Sequence, residues 1–477
     1  MKRKIIFFVV AFVLILAAVL GVLGFRQYQK QFAWIGETCY KKDITELDLS
    51  GMALEDPEAL RPFTALEKLD LRESGISVQI YEQLHQMLPE TEILWDIPFQ
   101  GACYAMDTQS LTITDLTEQE IELLAYFGEL QQIDAAACDD YAMLAALRAR
   151  YPHLNVNYRI RVGEAFYDYN VTQLVLRDAG LAQLETVLPF FEKLQDISFE
   201  GLLPEAEALN AFREGHPELN VYWQVNVLGT MADVHTTELD FTGMQMTSTE
   251  ELEAAVPYLP SLTKVLMMDC GLSNDHMAQL NEKFPDTLFV WNVRLGRGIV
   301  VRSDITVFAP VIWNKKVSEG DLTNLRYCTK VEVIDLGHMK IKDVSFLNYM
   351  PEVRFLVLAD TLVKDLTPLS GLKKLQFLEL FIAPIRDYSP LVGCTALEDL
   401  NLSGTYGDPE PLMQMTWLKR LWHVMRYMSS EERAALAEAL PNTEIKTPTH
   451  GSTGGGWREG PLYFEMRDLM GMPYMEG

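Results

Sequence analysis

Carboxylates recur at one repeated position in this sequence, the middle of short apolar-x-apolar triplets. On a β-strand the middle residue points away from its two neighbours, so these carboxylates are predicted to line one face of a sheet. Such a row could bind a basic partner or a cation, or it could be a solvated row of like charges. The residues are Asp48, Asp70, Asp134, Asp240, Asp335 and Glu379.

Motifs for catalysis and metal binding are missing from the sequence. It contains no G-x-S-x-G, no H-E-x-x-H, no G-x-x-x-x-G-K and no G-x-G-x-x-G after a strand, and its eight histidines do not cluster. The six cysteines include no C-x-x-C pair. Two of them, Cys138 and Cys270, fall at an inward-turning position and are predicted to be buried. We therefore predict no enzyme activity, no cofactor and no metal; an enzyme with an unrecognised site stays as an alternative.

The carboxylates are carried by repeats. Ile334, Leu356, Leu378 and Leu400 are each 22 residues apart, inside copies of an L-x-x-L-x-L pattern. A fixed period of this length with this pattern is typical of a leucine-rich repeat solenoid. One such strand cannot bury its apolar face alone, so stacked copies are predicted to form a parallel sheet over a continuous core. Residues 331–402 resemble the 22-residue repeats of internalin-like bacterial proteins, which implies this fold and, less specifically, a binding role.

A longer repeat precedes the 22-residue array. Its first strands begin at residues 46, 110, 173 and 238, and each copy has a second strand and a third strand that follows a proline. Helix-like apolar periodicity lies between the strands at 57–64, 119–127, 248–258 and 274–284. One aromatic residue in each third strand shares the parity of its apolar neighbours and is predicted to fill the core. These residues are Trp95, Tyr158, Trp223 and Trp291.

The predicted fold is an α/β leucine-rich repeat solenoid with an N-terminal transmembrane helix. A curved parallel sheet carries helices and short turns on its convex side. We divide the chain into a membrane anchor or signal segment (1–30), a cap (31–43), four modules of about 64 residues (44–304), a divergent module with the 22-residue repeats (305–447), a Gly-rich linker (448–460) and an apolar tail (461–477).

The first thirty residues predict export. Residues 5–24 carry no charge, which suits a helix that spans a bilayer, and the basic residues Lys2, Arg3 and Lys4 precede them. That order favours a cytoplasmic N-terminus with the bulk of the chain outside. The alternative is a signal peptide that is cleaved, which leaves a secreted protein.

Net charge limits the class of partner. The 477 residues carry a formal charge of −27 and are 48% apolar. So acidic a surface disfavours nucleic acid and anionic membranes and is compatible with a basic protein or another surface ligand. The oligomeric state is left open.

An apolar patch late in the array is the second candidate surface. Phe355, Val357, Phe381 and Ile382 are predicted to lie next to Glu379 on the concave side. Either this patch is an interface or the apolar C-terminal tail covers it. We therefore expect a membrane-anchored, exported protein that binds a protein or ligand through its concave face. The alternative is an envelope-assembly protein that docks through its tail.

Overall fold

The computed structural model describes residues 2–177, 180–296, 298–310, 312, 317–423, 428–447 and 454–472. Contacts divide the chain into two compact units, Met1–Trp223 and Gln224–Gly477. The boundary between the units falls inside one β-strand, Asn220–Val227.

The N-terminal segment is one long helix, α1 (Lys2–Gln31). Its part Val10–Gln31 has a mean hydropathy of 2.2 and is not buried. The helix runs beyond the predicted apolar span 5–24, because residues 25–31 contain neither glycine nor proline to end it. An exposed apolar helix of this length at the N-terminus indicates export, either as a signal sequence or as an anchor.

Short parallel strands form the leucine-rich repeats of the first unit. They pair in groups of three, and the leucine-type positions align in register, as in Leu47 with Leu69 and Leu69 with Ile93. The predicted three strands per module are confirmed here. The strands are β3 (Glu46–Asp48), β4 (Lys68–Asp70), β5 (Glu92–Leu94), β8 (Ser110–Thr112), β9 (Gln132–Asp134), β10 (Asn155–Asn157), β13 (Gln173–Leu176), β14 (Asp196–Phe199) and β15 (Asn220–Val227).

The second unit continues this pattern into a larger sheet. A group of three, β17 (Glu238–Asp240), β18 (Lys264–Leu266) and β19 (Leu288–Val290), comes first. Seven parallel strands then pair in chain order. They are β22 (Val307–Phe308), β23 (Val333–Asp335), β24 (Phe355–Val357), β25 (Phe377–Glu379), β26 (Asp399–Asn401), β27 (Arg420–Trp422) and β28 (Glu444–Lys446).

Antiparallel hairpins separate the parallel groups, and the repeat pattern did not predict them. Glycines sit in the hairpin turns, among them Gly101, Gly163, Gly229 and Gly296. At Gln100-Gly101 and Leu228-Gly229 both turn residues have positive φ, which fits the two-residue turn that matches strand twist. The predicted parallel strands are present, but they form several groups, and antiparallel hairpins lie between these groups. The hairpins are β1 (Phe32–Ile35) with β2 (Thr38–Lys41), β6 (Asp96–Phe99) with β7 (Ala102–Ala105), β11 (Arg159–Val162) with β12 (Ala165–Asp168), β15 with β16 (Thr230–Asp233), and β20 (Asn292–Arg294) with β21 (Val300–Arg302).

Helices connect the strands, and side chains cap several of them. Ser77, Ser273 and Ser429 each accept a bond from the third residue of the helix that follows. The α-helices after α1 are α2 (Val78–Met87), α3 (Glu118–Leu123), α4 (Tyr141–Arg150), α5 (Leu181–Val187), α6 (Ala206–Gly215), α7 (Glu250–Ala255), α8 (Asn274–Lys283), α9 (Glu319–Leu322), α10 (Ser430–Ala439) and α11 (Pro461–Leu469).

Single 3-10 turns replace α-helices where the connections are short. The segment 57–64, predicted as helical, contains only such a turn, and the 22-residue repeats have one in each connection. A 22-residue period leaves room for little more than one turn between strands. The turns that stand alone between strands are Pro57–Leu60, Ser345–Tyr349, Thr367–Leu369, Ser389–Gly393 and Glu410–Gln414. Other 3-10 segments continue an α-helix, at Leu124–Tyr126, Leu188–Phe190, Val256–Tyr258 and Thr323–Tyr327. One more, Gly454–Glu459, follows the last strand.

The core lies between the strands and these connections. Ile334, Leu356, Leu378 and Leu400 are fully buried, as the 22-residue spacing requires. The four aromatic residues of the third strands and the thiols of Cys138 and Cys270 are buried too, which confirms their predicted core role.

Candidate functional site: the outer face of the C-terminal sheet

The seven-stranded sheet has one face that packs on this core and one that points away from it, which we call the outer face. The outer face carries two columns of aligned side chains. One column contains Val333, Phe355 and Phe377, followed by Asp399 and Arg420. The other contains Asp335, Val357 and Glu379, followed by Asn401 and Trp422. Alternate residues of a strand point to the same face, so both columns share one surface. We call this surface the groove.

The C-terminal segment lies in the groove. Trp457, Tyr463 and Met466 form one buried apolar cluster with the valines and aromatic residues of the two columns. Tyr463 and Met466 are three apart on α11, which places them on one side of that helix. We call residues 454–472 the tail. Of the predicted linker 448–460, residues 448–453 lie outside the described residues and the remainder belongs to the tail.

Trp457 is the centre of the tail's attachment. Its side chain is fully buried, and its ring centroid lies 4.8 Å from that of Phe377 and 5.4 Å from that of Trp422. The indole Nε1 donates a hydrogen bond of 3.0 Å to Oε2 of Glu379. A buried indole N–H needs an acceptor, and this carboxylate supplies it.

An ion pair holds the tail backbone beside Trp457. Arg420 Nη1 lies 2.9 Å from Asp399 Oδ2. Arg420 Nη2 donates to the carbonyl oxygens of Gly456 at 2.7 Å and Trp457 at 3.2 Å. Gly460 passes so close that a Cβ there would lie 1.6 Å from Arg420 Nη1. Only glycine fits at this position while the ion pair stays in place.

A second arginine fixes the helical part of the tail. Arg354 pairs with Glu465 of α11 and with Glu332 of the sheet. Its guanidinium carbon also lies 5.0 Å from the centre of the Phe355 ring. The tail is thus anchored by charge at both ends of its apolar contact.

Burial under the tail changes the acid–base properties of the groove. Desolvation raises the pKa of Glu379, although the Trp457 bond and the charge of Arg458 act in the opposite direction. Desolvation also raises the pKa of Asp335 and of Asp399. All three carboxyls therefore hold a proton more tightly than free side chains do.

His423 is a buried titratable residue next to the groove strand β27. Desolvation lowers its pKa to about 4, and its ring meets that of Tyr388 edge-on at 6.2 Å. Neither ring nitrogen has a hydrogen-bond partner among the described residues. The imidazole is therefore neutral at pH 7 and acts as a core side chain at a leucine position.

All five aspartates of the predicted acidic row have a local structural role. In each, the carboxylate accepts a hydrogen bond from the backbone N–H two residues later, which closes the turn after the strand. Hydrogen bonds from the side chain and then the backbone of Ser50 lower the pKa of Asp48, and those from the side chain and backbone of Thr242 lower the pKa of Asp240. The bonds are Asp48 with Ser50, Asp70 with Arg72, Asp134 with Ala136, Asp240 with Thr242 and Asp335 with Gly337. A binding role for this row stays a prediction.

The predicted apolar patch is covered by the tail, one of its two expected outcomes. Phe355, Val357 and Glu379 are buried in the groove, and Phe381 packs against the cluster. Ile382 is 46% exposed and adopts a positive φ of 51° at the rim. Exposure of the patch is thus limited to this last residue, because the tail excludes water from the others.

Sequence reasoning missed Trp457, Trp422, Arg420 and Asp399 as members of this site. A signal for part of it was present, since Val333, Phe355 and Phe377 stand one residue before each 22-residue leucine position. The described residues contain no group of three His, Cys, Asp or Glu side chains that could hold a metal ion.

Comparisons with known proteins found similarity among solved structures only. No protein-family model matches the chain, and no curated protein sequence matches it. An internalin of Listeria monocytogenes is 14% identical over 87% of this chain and 91% of its own, with a TM-score of 0.24. Internalin C2 of Listeria monocytogenes is 22% identical over 31% of this chain and 74% of its own, with a TM-score of 0.24.

A leucine-rich repeat protein of Leptospira interrogans gives a similar result. It is 14% identical over 85% of this chain and 96% of its own, with a TM-score of 0.24. With superposition scores this low, the assignment of the fold rests on the strand register and the 22-residue spacing of the chain itself. The chain therefore has the leucine-rich repeat fold.

Proposed function

We propose that this protein is an exported leucine-rich repeat protein that binds another polypeptide through the outer face of its sheets. The observation that carries this proposal is the groove, which already holds a helical segment through aromatic contacts and ion pairs. Solenoid repeats offer extended surfaces of this kind to their partners. The net charge of −27 favours a partner with basic residues over an acidic one.

The experiment is site-specific photo-crosslinking in cells. A photoreactive residue replaces Thr112 or Ile382, both exposed on the outer face. Matched controls carry it at Gln86 or Gln279, which are exposed on α2 and α8, on the opposite side of the sheets. We expect a discrete crosslinked band from the outer face and none from the helices. Equal crosslinking from both sides, or none from the outer face, would contradict the proposal.

For location, we propose that α1 remains as an anchor with the N-terminus in the cytoplasm. Exposed apolar residues along the helix and the basic residues before it support this orientation. Protease shaving of intact cells, with blotting for the C-terminus, tests it. Removal of the repeats with a short membrane-bound stub is the expected result. Protection in intact cells, with cleavage only after lysis, would show that the chain faces inward.

The alternative role, envelope assembly through the tail, requires the tail to leave the groove. Trp457, Tyr463 and Met466 would have to leave the groove before they could bind a neighbouring complex, because all three are buried in it. Deletion of residues 457–477 separates the two roles. Loss of a crosslinked partner from both outer-face positions favours docking through the tail, and retention at Thr112 favours the sheet.

A further inference from the structure

The tail contacts the sheet as a bound ligand would, and it does not add a strand to the sheet. It crosses strands β23 to β27 on their outer face, whereas an end cap would cover β28. Among the described residues, no backbone–backbone hydrogen bond joins 454–472 to the rest of the chain. Each hydrogen bond or ion pair that the attachment uses involves a side chain, that of Trp457, Arg420 or Arg354.

The tail also has the recognition chemistry of a short linear segment. Trp457 fills an aromatic pocket and donates to a buried carboxylate, and a Cβ at Gly460 would displace the Arg420 guanidinium. Tyr463 and Met466 extend the apolar contact along α11. A helix of nine residues is marginal by itself in water, so α11 gains its stability from the groove.

Charge sets which segments can enter the groove. The carboxyls of Asp335 and Glu379 are partly compensated by Arg458 of the tail, and Asp335 also by Arg467. Arg354 of the sheet meets Glu465 of the tail. A competing segment must therefore supply a basic residue beside its tryptophan and an acidic residue on its helix.

We propose that the groove is a docking site for a partner polypeptide of this chemistry, and that the protein's own tail occupies it until the partner displaces it. The partner segment presents a tryptophan followed by an arginine or lysine, a glycine three residues after the tryptophan, and a short helix with aromatic and methionine side chains three apart. This inference rests on the proposed function and names the site and the kind of segment it takes.

The test uses the full chain in detergent with a protease site inserted within residues 448–453. Cutting this link leaves the tail in place without covalent attachment. A fluorescent peptide of residues 454–472 is then added, and its binding is followed by anisotropy. We expect the peptide to exchange into the cut protein. We expect the uncut chain to bind at least tenfold more weakly, because its tethered tail competes at high effective concentration.

Two peptide variants test the specificity of this exchange. Trp457→Ala removes the buried ring, and Gly460→Ala places a methyl group on the Arg420 guanidinium; we expect each to weaken binding at least thirtyfold. A Leu469→Ala peptide is the matched control, since Leu469 is exposed on α11, and it should bind within threefold of the parent peptide.

Three results would overturn the inference. In the first, the cut protein takes up no peptide while its tail stays bound, which makes the tail a permanent part of the fold. In the second, loss of the tail unfolds the sheet, as measured by near-ultraviolet circular dichroism. Equal binding to cut and uncut protein would place the peptide elsewhere. If the peptide exchanges but the outer face gives no crosslinks in cells, the proposed function is refuted. If the outer face gives crosslinks but the peptide does not exchange, only the groove is refuted as the binding site.

Discussion

Removal of the Trp457 side chain should release the tail without unfolding the repeats. The side chain is fully buried between Phe377 and Trp422, and truncation of a buried tryptophan to alanine costs about 3–5 kcal/mol. Every 1.4 kcal/mol is tenfold in an equilibrium. Trp457→Ala should therefore raise the population of the released tail by about 10² to 10⁴-fold.

Trp457→Phe separates the ring from its hydrogen bond. Phenylalanine keeps much of the stacking but leaves the Glu379 carboxylate without the indole donor. Loss of a hydrogen bond to a charged group costs about 1.5–3 kcal/mol, so this variant should show a smaller release. Adding Glu379→Met to Trp457→Phe should restore part of the loss, because both polar partners are then absent.

Hydrogen–deuterium exchange of the amides of α11 measures this release. Under native conditions the exchange rate reports the fraction of time that the tail is open. Leu469→Ala is the control, and its exchange should change by no more than about threefold, since exposed substitutions cost little. Unchanged exchange across residues 461–469 in Trp457→Ala would refute the reasoning, as would faster exchange spread equally over all strands of the sheet.

Two further outcomes follow from the titratable groups. Burial by the tail raises the pKa of Glu379 above its ordinary value of 4.5, so the docked state binds a proton more tightly than the released state, and docking should strengthen as the pH falls from above the raised pKa towards 4.5. Glu379→Gln should flatten this dependence in exchange measurements corrected for intrinsic rates, leaving the part due to Asp335 and Asp399; an unchanged slope would contradict the assignment. Burial raises the pKa of the thiols of Cys328 and Cys394 to about 12 and about 11. In the folded protein at pH 8, iodoacetamide should therefore modify the exposed Cys103 and leave both unmodified until denaturant is added. Mass spectrometry reads the sites, and equal rates at Cys103 and Cys328 would count against this burial.

The repeat fold was predictable because its information is local and periodic. Leu378 and its equivalents must recur every 22 residues to reach the same core. Their spacing therefore predicts which residues pair between neighbouring strands. The hairpins were not predicted because several of their strands are four residues or fewer, too short for a clear alternation of apolar and polar residues. The glycines in their turns, Gly101 and Gly229, have positive φ and would equally suit the end of a repeat. A glycine with positive φ serves either purpose, and only the pairing distinguishes them.

The acidic row shows how one pattern carries two explanations. The position of Asp48 and Asp240 on the outer face follows from strand alternation. Their hydrogen bonds to Ser50 and Thr242 are local as well, because each joins residues that are two apart in the chain. What the pattern does not contain is whether a partner also uses these carboxylates.

The sequence by itself determined the leucine-rich repeats, the positions of their parallel strands, the buried aromatic residues and the apolar N-terminal helix. Each of these depends on residues close together in the chain or on a repeated period. The tertiary structure alone decided that the tail fills the groove. Trp457 meets Glu379 across 78 residues, and no period connects the two. Such a contact depends on the three-dimensional match of ring, carboxylate and guanidinium, which emerges only once the strands have aligned their outer columns.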